Sequence, residues 1–519
     1  MGRYELRKTV GWKTAMITAP AQFLYALSSA HVNNNLPLIA ASLGITTAIA
    51  SWIINIELLT VVITATMTGK LADKFGTPIV FTIGTILFAI CNIMFLIPQL
   101  ETSFAGVLSL RLGASIGLGL VLPSSTPLAY ILIQPNKLPT AIAIISIMVP
   151  VGMIFSASVA GVVAQASSWR YMFVITGCVA IIYVIAQVST LPYKVPTRHA
   201  KIDFIGVIQL SIGLSLLILS LTGLSDQFIP YYASSILLVL SIGIIIFFFV
   251  YNKKWSKNPI FALEVFNKST ILVELLILLN NTISFCEKFY MPYVQMRLVN
   301  LTPAISGIVI AVAGCGSFVF SPIGNLMFKK LITKRSILII YSVYIVVLLF
   351  NGLHVRYFLN IPLYGILNFI GMGLFVATTI CLTNYNFSAS PPKYANQIGV
   401  FNQIVTNTGH SIGVSIAVLV NNLFYGDNSG KGTLSAKSVF WVYMFSAFLG
   451  IGVVSITFFM GVFRFERGTK GFTERDVHKT STFNENLMGD TEIIELDQFQ
   501  QTSTQSEGKF IKLFSGMQF

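Results

Sequence analysis

GKLADKFG (Gly69–Gly76) separates two apolar runs, residues 50–68 and 77–98, that carry one charged residue between them. Glycines at both ends suit a tight turn between two helices. Asp73 is placed to cap or pair near a helix end, and the two lysines stay in water. Each flanking run is about 20 residues, the length that carries a helix across a bilayer core. A short charged turn between two such runs means that the chain crosses a membrane and comes straight back.

The same pattern recurs outward from this turn. Apolar runs fall at 15–37, 50–68, 77–98, 104–124, 140–163, 171–192, 204–224, 233–252, 269–293, 304–324, 337–354, 360–384, 400–424 and 439–463. These predict fourteen membrane helices with both termini on one side. The composition agrees: 55% of residues are apolar, 10% are charged and the mean hydropathy is +0.78. A soluble chain carries about 25% charge. No two-residue alternation supports a closed barrel. The first run is longer than a signal-peptide core, carries polar residues along its length and lacks a small-residue cleavage site. The five cysteines lie singly within runs and read as small apolar side chains, without a disulfide framework or metal site.

The net charge of +14 follows topology and excludes a nucleic-acid footprint. With the N-terminus cytosolic, nineteen Lys and Arg fall in inner segments before the tail and five in outer ones. Both termini are therefore expected in the cytosol. The tail, 464–519, is polar, lacks a helical stripe and reads as disordered.

Gly69–Gly76 resembles the signature loop between the second and third helices of the major facilitator superfamily. With fourteen spans, the chain resembles the fungal and bacterial drug:proton antiporter branch, which includes multidrug efflux and vacuolar basic amino acid transporters. Further segments agree in order: Trp52, RLGASIGLGLVLP (Arg111–Pro123), SWRYMF (Ser168–Phe173), KIDFIG (Lys201–Gly206), the stretch Tyr290–Ile310 and GHSIGVSIAV (Gly409–Val418). The resemblance implies an all-α polytopic membrane protein in which two six-helix bundles, 15–193 and 269–463, enclose a central cavity. It also implies two extra central helices within 194–268, with 1–14 and 464–519 as cytosolic ends.

Three positions depart from the family pattern. Ser28 stands where its first helix carries an aspartate. GMIFSASVAG (Gly152–Gly161) lacks the Gly-Pro pair of the fifth-helix antiporter motif, although Gly152, Ser156 and Ala160 keep small-residue spacing. Glu57 replaces a tyrosine.

Seven ionisable residues fall within spans: His31, Glu57, Arg111, Glu274, Glu287, Lys288 and His410. A charge facing lipid at mid-membrane costs about 2.5–3.5 kcal/mol, so these side chains should face a cavity or one another. The candidates for proton coupling are Glu57, Arg111, Glu287 and His31. Glu57 is equally readable as a structural pair for Arg111, a position that the resemblance ties to proton coupling. His31, Asn34 and Asn35 share a helical face by spacing, as do Asn280, Ser284 and Glu287. Asn33, Asn34, Asn35, Glu274, Asn280, Asn281, Ser284 and His410 are the candidates for the cavity wall. Asparagine also serves as interhelical glue, a packed histidine is common, and Lys288 either neutralises Glu287 or points away. Gly69, Asp73 and Gly76 are the candidate gating loop.

Together these features point to a proton-coupled carrier that moves small organic solutes, cationic or zwitterionic, out of the cytosol. Its expected partners are substrate, proton and bilayer, without nucleic acid, and it is expected to act as a monomer. It needs no cofactor beyond a proton gradient. Drug or toxic-cation efflux at the plasma membrane is the first reading, basic amino acid loading at a vacuole is the alternative, which topology does not separate from it, and a non-transporting sensor on a carrier scaffold is a second alternative. No HExxH motif, histidine–acid pair or nucleotide loop supports an enzyme.

Overall fold

The computed structural model describes residues 16–97, 103–132, 138–191, 203–226, 229–256, 268–330, 333–388, 395–425 and 435–459. The predicted cytosolic ends, 1–14 and 464–519, and the segments flanking the extra helices lie outside them.

Among the described residues there are fourteen long helices: α1 (Pro20–Leu43), α2 (Thr47–Phe75), α3 (Thr77–Ile93), α4 (Phe104–Leu132), α5 (Leu138–Ala166), α6 (Arg170–Thr190), α7 (Phe204–Asp226), α8 (Tyr231–Lys254), α9 (Lys268–Tyr293), α10 (Pro303–Lys330), α11 (Thr333–Tyr357), α12 (Ile361–Ser388), α13 (Ala395–Tyr425) and α14 (Ala436–Phe459). Thirteen are long and apolar enough to cross a bilayer. The exception is α1, whose histidine and asparagines lower its hydropathy although it has 24 residues.

The junctions show why the elements begin and end where they do. Gly44 closes α1 at φ 64°, and its N–H bonds to the carbonyls of Ala40 and Ala41. Thr46 then caps α2, its hydroxyl accepting from Ile49 N–H at 3.2 Å. The Gly69–Gly76 turn is tighter than its sequence predicts. α2 runs on through Gly69 to Phe75, because nothing in LADKF breaks a helix, and Gly76 alone makes the reversal at φ 94°. A side chain on Gly69 would meet nothing within 4 Å, so that glycine is not part of the turn.

Within the first half, α1 packs on α5, α2 on α4, and α3 on both α4 and α6. The second half repeats the pattern: α9 on α13, α10 on α12, and α11 on both α12 and α14. These are two six-helix bundles of one design. They meet along two equivalent seams, α5 with α10 and α13 with α2. α7 lies on the second seam, against α2 and α13, with α8 outside it. α8 buries Ser234, Ser241 and Asn252 and exposes Tyr232, Ile236 and Val239, the last 72% accessible. Apolar residues outward and polar ones inward is the arrangement that lipid selects.

Candidate functional site

In the first bundle, polar groups from three helices converge. Glu57 on α2 pairs with Arg111 on α4. Arg111 Nη1 also donates to Ser28 Oγ on α1 at 3.0 Å, and Ser28 Oγ donates to Glu57 Oε1 at 3.5 Å. All three side chains are buried. Glu57 thus reaches Arg111 from α2, beside Ser28 on α1. One turn beyond Ser28, His31 meets Phe173 edge-on at 4.5 Å, and the Arg111 guanidinium lies 5.8 Å from the same ring. Both His31 ring nitrogens are buried without a partner among the described residues.

The asparagine run does not act as one face. Asn34 Nδ2 donates to the Ala157 carbonyl on α5 at 3.3 Å, which makes it helix-packing glue. Asn35 is buried with no partner for its amide. Asn33, left off the predicted face, reaches the other bundle and donates to the Lys288 carbonyl at 3.4 Å. Spacing places side chains around a helix but cannot say which neighbour stands at each angle, and here Asn34 meets α5 and Asn33 meets α9.

In the second bundle, Asn280, Ser284 and Glu287 share a face, and it turns to α11 and α12. Asn280 accepts from Tyr341 OH at 2.6 Å and donates to Thr379 at 2.8 Å, so both ends of its amide are engaged. Glu287 accepts from Tyr344 OH at 3.1 Å and from Asn351 Nδ2 at 3.3 Å. Ser284 is fully buried between them along α9. Glu274 accepts from Asn386 Nδ2. Lys288 lies over the rings of Phe375 and Phe285, at 3.8 and 5.4 Å, within the electrostatic reach of Glu287. His410 stacks on Phe285 at 3.7 Å and bonds Asn281 Oδ1 through Nε2 at 2.8 Å. Among the described residues, the three acids within the spans, Glu57, Glu274 and Glu287, all have protein partners. Those partners, Asn351, Tyr344 and Asn386, escape sequence reasoning because they lie 57 to 112 residues away on other helices.

The altered α5 motif works at two interfaces. Gly152 and Ser156 face α1, where Ser156 Oγ donates to the Leu27 carbonyl at 2.8 Å. Ala157 and Gly161 face α10, where a side chain on Gly161 would strike the Pro303 carbonyl and one on Gly307 would strike that of Ala157. At the same end, Gln165 Oε1 accepts from Ala304 N–H at 3.2 Å and Arg297 donates to the Pro37 carbonyl at 3.4 Å. The bundles are closed on each other here. The side chain of Asp73 lies outside the described residues.

The model of one family, the Major Facilitator Superfamily, matches residues 18–414. The chain belongs to the Major Facilitator Superfamily. This is a family of transporters rather than enzymes. MdtD of Yersinia enterocolitica, a protein named for multidrug resistance, is 27% identical over 49% of this chain and 53% of its own length. This chain therefore spans about half of that relative. Two longer matches are the riboflavin transporter RibZ of Clostridioides difficile, 22% identical over 86% of this chain and 97% of its own, and MdtD of Cronobacter sakazakii, 22% identical over 86% and 93%. Among solved structures, a peptide transporter POT with bound sulfate aligns over 90% of this chain and 100% of its own at TM-score 0.64 and 16% identity. A D-xylose–proton symporter aligns over 88% and 98% at TM-score 0.62 and 12% identity. At these identities the structural likeness speaks to fold alone. It agrees with the paired bundles.

Proposed function

We propose that this chain is a proton-coupled secondary transporter that moves small organic solutes, zwitterions and cations among them, out of the cytosol. The observation that carries the reading is the buried Ser28–Glu57–Arg111 cluster. Burial favours the neutral form of a carboxyl group, while an adjacent guanidinium favours the charged form. A group balanced between the two releases its proton when its surroundings change. α2, which carries Glu57, also forms the seam with α13, so rocking of the bundles acts directly on the proton-carrying helix. Competition of proton and cargo for that state couples their movements. His31 and Glu287 are the next candidates to carry a proton.

With both termini in the cytosol, the end closed by Gly161, Gly307 and Arg297 is the outer end, and this conformation is shut to the outside. The relatives named for multidrug resistance favour drug or toxic-cation efflux at the plasma membrane over basic amino acid loading at a vacuole. In proteoliposomes, an imposed pH gradient should drive ethidium or arginine to accumulate against its own gradient, and a protonophore should abolish this. Flux that is indifferent to the gradient would make the protein a facilitator.

A further inference from the structure

Among the described residues, five charged side chains fall well inside the spans. Glu57 and Arg111 pair, and Glu274 and Glu287 accept hydrogen bonds. Among the described residues Lys288 makes no ion pair within 4 Å and no side-chain hydrogen bond; the countercharge it feels is Glu287, its neighbour on α9, whose carboxylate is held by Tyr344 and Asn351. Its ammonium rests 3.8 Å from the centre of the Phe375 ring, and Phe375 lies near the middle of its span, Ile361–Asn386. The charge is therefore held deep in the membrane, where an isolated ammonium is costly and marks a functional pathway. Ring faces offset only part of that cost. Lys288 is half-buried as a residue.

Two unpartnered acceptors sit beside it. His410 stacks on Phe285, the ring that Lys288 also approaches. Asn281 Nδ2 donates to the Ile277 carbonyl, so Asn281 Oδ1 is the acceptor toward His410 and the imidazole proton is on Nε2. Nδ1 of the neutral ring is then an open lone pair, in a side chain 8% exposed, and it has no partner among the described residues. Asn33 crosses from the first bundle to the Lys288 backbone, and its Oδ1 is likewise buried and unpartnered. Lys288, Phe285, Phe375 and His410 come together from α9, α12 and α13 of the second bundle, and Asn33 reaches the Lys288 backbone from the first, at the depth where carriers of this architecture bind cargo.

We infer that Lys288 anchors the carboxylate of a cargo that also bears an N–H or O–H donor, with Phe285 and Phe375 against its apolar body and His410 Nδ1 and Asn33 Oδ1 accepting its donors. Of the zwitterions and cations in the transport reading, this selects amphipathic zwitterions, and it rests on that reading for the word cargo.

The test is thermal stabilisation of the purified full chain by three probes with one apolar body: phenylalanine, 3-phenylpropanoate and phenylalaninamide. The two carboxylates should raise the unfolding midpoint and the amide should not. Lys288→Gln should bind both carboxylates at least about tenfold more weakly, as expected for loss of a charge-assisted contact, while unliganded protein unfolds no earlier than wild type. Lys288→Arg should retain part of the affinity and shows that the site, rather than the fold, was lost. The inference is overturned if the amide stabilises as well as phenylalanine, if no probe stabilises, or if Lys288→Gln keeps carboxylate affinity within twofold. Carboxylate binding without proton-driven flux would remove the transport reading and leave the site. Proton-driven flux without carboxylate binding would do the reverse.

Discussion

Gly161→Ala tests the closed seam. In this conformation the added methyl group runs into the Pro303 carbonyl, which is backbone and cannot swing aside. α5 cannot retreat, because Gly152 on its other face already sits against Phe23 and Ala26 of α1. Overpacking of this kind costs about 1–3 kcal/mol. Alanine also gains about 1 kcal/mol over glycine in a helix, but it does so in both conformations and drops out of their ratio. The closed-to-open ratio should therefore fall by about 5- to 150-fold. A single cysteine at Asn33, in a background without the five native cysteines, reports this ratio through its labelling by a membrane-impermeant maleimide added to intact cells. The labelling rate should rise by that factor. Gly243→Ala is the control, since a side chain there meets nothing within 4 Å. If Gly161→Ala labels within twofold of its parent, the α5–α10 seam is not what closes the outer end.

Tyr341→Phe strands the Asn280 carbonyl and should lower stability by about 1–3 kcal/mol, read as an earlier unfolding midpoint, while the pH dependence of transport stays as in wild type. Gly76→Ala forces a side chain into φ 94° and should cost about 1–3 kcal/mol on the same measurement. Asp73→Ala, at equal membrane level, should impair flux if the α2–α3 turn is a gate, and normal flux would make that turn a connector only.

The fold was legible because bilayer thickness sets a length that every span repeats. Boundaries slipped where a signal has two meanings. Pro37 reads as the end of α1, yet the helix continues to Leu43, since neighbouring helices tolerate a proline in a span. Gly69 reads as a turn and is helix. At the site, charge and rarity single out Glu57, Arg111, Glu287 and Lys288. The Glu57–Arg111 pair is among the open readings, but the other partners are not readable, because Ser28 joins that pair across 29 and 83 residues of chain and the asparagine run reaches two different helices. Helical spacing yields direction, and only packing supplies the partner.

The central claim is that Glu57 carries the coupled proton. Its most direct measurement compares wild type with Glu57→Gln in proteoliposomes, at equal reconstitution, for accumulation driven by an imposed pH gradient and for downhill exchange without one. Glutamine keeps an oxygen for Arg111 but cannot exchange a proton, so the variant should lose accumulation and retain exchange. Full pH-driven accumulation by Glu57→Gln would contradict the account and move the proton to Glu287 or His31.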